Sequence, residues 1–124
     1  MSVIVRDDGF HGEDHRDGPI LDIAPDTDPD SLPAAFDGIG MIRIAFPAFA
    51  DGRGFTLARH LRARGYAGRL RAAGHVIADQ YAMARRCGFD EVEISDEIAA
   101  RQPEAQWRFR SDWTEHDYRS RLRA

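Results

Sequence analysis

Three short stretches hold the residue types that could do chemistry. Asp51-Gly52-Arg53-Gly54 joins a carboxylate, a guanidinium and two glycines, His75 precedes Asp79 and Gln80, and Ser95 precedes Asp96. An arginine, a histidine and carboxylates on one rim can bind an oxyanion or move a proton. In that reading His75 and Asp79 are the catalytic pair, and Asp51, Gly52, Arg53, Gly54 and Gln80 hold an anion. A glycine pair between a strand and a helix lets backbone N–H groups turn toward a ligand, and the helix N-terminus adds a favourable field. The same residues also fit a tight strand-to-helix turn capped by Asp51, with His75 a half-exposed helix-start residue and Asp79 a surface acid. The lysine and Ser/Thr of a phosphate loop are missing, and the run is too short for a dinucleotide fingerprint.

Other candidates are weaker. His11 and His15 lie among Glu13, Asp14 and Asp17. They lack the fixed helix or hairpin spacing that metal ligands need, so a solvated loop is expected and no metal is assigned. Cys87 is the sole cysteine and stands at an expected helix C-terminus. That position has no field to lower a thiol pKa, so a buried inert thiol is expected.

A repeat positions the rim. Arg64-Gly65-Tyr66 to Ala72 lines up with Cys87-Gly88-Phe89 to Ser95, at an offset of 23 residues. Each copy is a helix end, a glycine, an aromatic, a link and a strand-like run. Glycine just past a helix suits the left-handed C′ position. Twice over, this is half of a βαβ series. The near-continuous apolar run Ile39–Phe46 predicts a strand covered on both faces, ended by Pro47. Leu57, Ala58 and Leu61 make the buried stripe of a helix over Phe55–Arg64, whose outer arginines are expected in solvent. Strands are expected at 70–73 and 92–94, with a helix from about Val76 to Cys87 between them. Ser95 is expected to cap a helix through about Arg101, and Ser31 to cap a short turn over 32–36. Ser2–Arg6 and Pro19–Ala24 read as further strands. The fold class is therefore α/β: a small two-layer or three-layer domain with a short parallel βαβαβ core and N-terminal strands. Ligands bind beyond the carboxyl ends of such strands, where the three stretches lie.

With 124 residues the chain is expected to be one domain: an acidic flank over 1–38, the core over 39–95, and a helix and tail over 96–124. Its 43% hydrophobic and 10% aromatic content is that of a globule. No apolar run approaches the roughly 20 residues of a membrane span, and the N-terminus has no signal pattern. A cytoplasmic bacterial protein is expected.

Charge is unevenly placed. Residues 1–40 carry a net −8, residues 41–86 a net +7 and residues 87–124 a net −3, and all seventeen basic residues are Arg. The acidic flank is expected to lie over the basic middle. The tail interleaves Trp107, Phe109 and Trp113 with Arg, which suits nucleic acid. A strand or latch covering the core edge is the preferred reading, since the net charge is −4. Open sheet edges make a homodimer one expectation.

Several motifs carry a resemblance. They are FPxFxDGRG over Phe46–Gly54, the AR and LR of Ala58–Arg62, LRA-G over Leu70–Gly74, Asp79-Gln80, and RCGFD over Arg86–Asp90. Over residues 39–95 the chain resembles the bacterial family called domain of unknown function 934. Members of that family are typically encoded beside sulfite or nitrite reductase and are often labelled as oxidoreductases of sulfite reduction. The resemblance implies an accessory role in sulfur assimilation, with a sulfite or nitrite reductase as partner. Family members commonly have Asp where this chain has His75, a departure that removes a carboxylate from that position. The cofactor is left unknown: without a cysteine cluster or dinucleotide fingerprint, any redox centre is expected in the partner.

Overall fold

The alternation of side chains along each strand sorts this sheet into an apolar face and a charged face. The structure, a computed structural model, describes residues 2–15 and 18–111. In chain order the strands and helices are β1 (Ser2–Arg6), β2 (Gly9–His11), β3 (Ile20–Ile23), β4 (Met41–Phe46), α1 (Arg53–Ala63), β5 (Leu70–Gly74), α2 (Tyr81–Cys87), β6 (Glu91–Ser95), α3 (Asp96–Arg101) and α4 (Glu104–Phe109). The six strands form one sheet in the order β2-β1-β6-β5-β4-β3. The last four are mutually parallel, and β1 runs antiparallel to both β6 and β2.

Each parallel strand lies beside the one before it, so the crossovers all step the same way and return over one face. Ile42, Ile44, Phe46, Leu70, Ala72, Val92 and Ile94 share one buried cluster with Leu57 and Leu61 of α1, Tyr81 and Ala84 of α2, Ile98 of α3 and Trp107 of α4. The domain is two-layered. Ile4 and Met41 are equally buried but stand outside this cluster, on the other face.

The repeat is real in three dimensions. Gly65 and Gly88 both have positive φ, and the following Tyr66 and Phe89 N–H groups reach back to Leu61 and Ala84 carbonyls at 3.1 and 3.0 Å. Both helix ends close in the same left-handed glycine motif, with the aromatic folded into the core. The sheet register differs from the sequence offset: Arg71 stands opposite Glu91, an offset of 20. The second link is three residues shorter than the first.

Several local expectations change. β4 lacks a helix layer on its second face, where Arg43 is half-buried and Ala45 is exposed. Asp28, not Ser31, caps a 3₁₀ turn, over Pro29–Ser31, and Leu32 is already extended. The segment after β5 bends at His75, is extended at Ile77, then makes a 3₁₀ turn over Ala78–Gln80 before α2. Gln102 Oε1 takes the Ala78 N–H at 2.6 Å, so a side chain from α3's end starts that turn. β2 was hidden in a polar stretch. Ser95 does cap α3, its hydroxyl accepting from Ile98 N–H at 3.2 Å. The expected C-terminal latch is the helix α4, which buries Trp107; Trp113 and the rest of the tail lie outside the described residues.

Candidate functional site

The rim beyond β4 and β5 is built on Gly74. Its φ of 120° turns the chain so that His75 N–H donates to the Phe46 carbonyl at 2.8 Å. The imidazole then swings to Pro47, and Nδ1 lies 2.7 Å from that carbonyl. A carbonyl only accepts, so Nδ1 carries the proton. In the neutral ring this leaves Nε2 as a lone-pair acceptor. The Phe49 ring stands edge-on to His75, with centroids 5.2 Å apart. Gln80 fixes the arrangement from the other side: its amide donates to Phe49 O at 2.7 Å and accepts from Ile77 N–H at 3.0 Å. Both loops are thus held by backbone carbonyls, while His75 and Phe49 remain exposed, Phe49 at 44%.

The turn before α1 already holds an anion of its own. Asp51 accepts from Arg53 N–H at 3.1 Å, from Nε at 3.0 Å and from Nη2 at 2.7 Å. Arg53 in turn holds the Asp51 carboxyl below its ordinary range, by hydrogen bonding first. The carboxylate occupies the place an external oxyanion would take at this helix N-terminus. Gly54 is small for packing: a Cβ there would meet the Phe46 ring at 2.6 Å. Gly52 is the N-cap and makes no side-chain cap. Arg53 borders a cleft of about 370 Å³ whose other wall includes Asp26 and Asp28. That acidic wall works against an anionic ligand.

Asp79 points elsewhere. It pairs with Arg110 at 2.8 Å and lines a groove of about 380 Å³ beside Ala105 and Phe109 of α4. The structure therefore brings His75, Gln80 and Phe49 together, while Arg53 and Asp79 are each paired with another side chain, Asp51 and Arg110. Ser95 and Asp96 serve α3 as cap and first turn. Cys87 is buried with Arg59 Nε 3.2 Å from its sulfur. His11 pairs with Asp8 and His15 with the Gly18 carbonyl. Among the described residues no group of three or more His, Cys, Asp or Glu is placed to hold a metal ion.

Of the outer arginines of the first helix, Arg59 and Arg64 are exposed as expected and Arg62 is half-buried, and Arg62 and Arg64 also bond back to the fold. Arg62 reaches the carbonyls of Gly88, Tyr66 and Gly68 at 2.7 to 2.9 Å and Asp90 at 3.1 Å. Arg64 donates to Leu32 and Pro29 carbonyls.

The largest constellation was missed in the sequence. On the second face Asp22, Arg43, Arg71 and Glu91 stand abreast in four neighbouring strands. Arg71, fully buried, donates to Glu91, Glu93 and both oxygens of Glu13. Glu91 also receives Arg6 at 3.1 Å and Arg69 at 3.0 Å. Burial alone would lower the Arg71 pKa, but its three carboxylate partners outweigh that and raise it. The signal was the alternation of charge in Arg69, Arg71, Glu91 and Glu93. It marks strands with one polar face.

A family described as bacterial protein of unknown function, DUF934, matches residues 21–123. The chain belongs to this family. The match runs from within β3 through α4 and includes every rim residue of this DUF934 chain. No curated protein and no solved structure matches it. No helix among the described residues is long and apolar enough to cross a membrane.

Proposed function

We propose that this DUF934 chain is a cytoplasmic accessory factor of assimilatory sulfite reduction, binding a sulfite or nitrite reductase through the Phe49–His75 rim. The observation that carries this reading is an exposed phenylalanine locked beside an exposed imidazole. A large aromatic on a rigid loop is an inexpensive anchor, since little entropy is lost when it is covered. The pathway comes from the family's association with sulfite reduction. In this role any oxidoreductase chemistry belongs to the partner, consistent with a single, buried cysteine.

The alternative is a small α/β enzyme or oxyanion-binding domain using Arg53, His75 and Asp79. It has less support, because Arg53 and Asp79 are each engaged by a neighbouring side chain of opposite charge.

The test is a pull-down from native lysate with the intact chain as bait, the eluate being assayed for sulfite and nitrite reductase activity. Activity is expected with the native chain and lost with Phe49→Ser. Recovery of the bait without reductase activity would refute the reading.

A further inference from the structure

The charged face of the sheet is organised around a segment that has no apolar hold on it. Gly12, Glu13 and Asp14 are exposed and His15 is half-buried, yet they cross a fully buried arginine. Their attachment is ionic. Glu13 gives both oxygens to the Arg71 fork at 2.6 and 2.7 Å. Asp14 bridges Arg6 at 2.7 and 2.8 Å and Arg69 at 2.5 Å. Around this strap, four guanidiniums (Arg6, Arg43, Arg69, Arg71) face three carboxylates of the sheet (Asp22, Glu91, Glu93). Without the strap these groups carry one positive charge in excess, and the two adjacent strap carboxylates more than offset it.

We propose that this face is a recognition site for an acidic protein segment bearing two adjacent carboxylates, kept filled here by the chain's own Glu13-Asp14. The planar Arg71 fork selects a carboxylate held edge-on, and the Arg6–Arg69 pair selects a second one beside it. The fold supplies the recess, because Arg71 is positioned by Glu91 and Glu93 whether or not the strap is present. The strap is exchangeable because none of its side chains is fully buried. An internal ligand competes at the millimolar effective concentration of a short tether, so an incoming segment binds well only when it adds contacts or when the strap is weakened. The site is separate from the rim and does not depend on the role proposed for it.

Two measurements on the whole chain test this. The first compares backbone amide exchange at about 0.02 M and about 0.5 M NaCl, which shortens the screening length severalfold. The strap amides of Asp14 and His15, which donate to Glu13, are expected to exchange about tenfold faster at high salt, with β5 and β6 unchanged. Salt-insensitive strap amides, or amides that exchange only in step with β5, would overturn the proposal. The second uses a fluorescent Gly-Glu-Asp-His peptide and the Glu13→Gln/Asp14→Asn variant. About tenfold tighter binding than to the native chain is expected once the internal ligand is removed. Equal or absent binding by the folded variant would overturn the proposal, and so would a variant that fails to fold, since the strap would then be part of the structure.

Discussion

Gly74→Ala tests the physical basis of the rim. At Gly74 a Cβ would lie 2.5 Å from the Phe46 carbonyl oxygen, and φ is 120°. Neither group can step aside. Phe46 pairs with Gly74 in the β4–β5 ladder, and its carbonyl already accepts His75 N–H at 2.8 Å. Holding alanine in that backbone region costs about 1–3 kcal/mol. Losing the His75 bond adds about 1 kcal/mol. A total near 3 kcal/mol corresponds to a fall of about 10 °C in Tm for a domain of this size. Gly65→Ala is the control. Its φ of 98° carries the backbone term, but nothing lies within 4 Å of an added Cβ, so about 1 kcal/mol is expected. Urea unfolding followed by circular dichroism gives both values, and the His75 ring resonances report whether the rim moved. Equal losses for the two variants would refute the argument that contact with the Phe46 carbonyl fixes the rim.

Three further outcomes follow from the same geometry. Arg62→Ala should cost about 3 kcal/mol by equilibrium unfolding, because charged donors to three carbonyls are lost together; exposed His60→Ala should stay within about 0.5 kcal/mol. Glu13, held by the Arg71 hydrogen bond first, has its carboxyl lowered from 4.5 to about 2. Its contribution is therefore complete above pH 4.5 and lost as pH falls toward 2. With 45% of that side chain in water, screening leaves about 1 kcal/mol, and Glu13→Gln should flatten this part of the stability–pH curve. Asp51→Asn should strengthen sulfate binding at low salt by releasing the Arg53 fork; calorimetry showing unchanged binding would remove the oxyanion reading of this turn.

The elements of the core were legible because they rest on local rules. Glycine past each helix, an aromatic after it and an apolar strand were enough to place α1, β5, α2 and β6 in order. The number of layers was not legible. Ile39–Phe46 reads as apolar throughout, but only the sheet's neighbours reveal that Arg43 shares a face with Arg71 and Glu91. Aligning the repeat at its glycines set Arg71 against Ile94, whereas the shorter second link puts it against Glu91. A difference of three residues reverses face parity along a strand. That hid the charge row from any reading of the repeat alone. At the rim, His75 and Gln80 were found by position. Their link through Phe49 was not, since Gln80 meets its backbone carbonyl and His75 its ring across the loop, and neither contact leaves a pattern in the sequence.

Several of the arginines hold positions that lysine could not take. Arg62 touches the ends of two helices with one planar group, and Arg71 serves three carboxylates at once. Lysine, a point charge with three donors at one atom, could not span either set. Arg43, Arg69 and Arg85 likewise pair with acids from the N-terminal flank or β6. Four of the nine arginines of residues 41–86, Arg43, Arg69, Arg71 and Arg85, thus pair with acids of the flank. A nucleic acid would have to break those pairs to reach the charge, losing the counterion release that drives such binding. A protein partner faces no such cost at Phe49 and His75, which are exposed and whose loops are already held. For that reason the rim, and not the arginine-rich stretch, is where mutagenesis should begin.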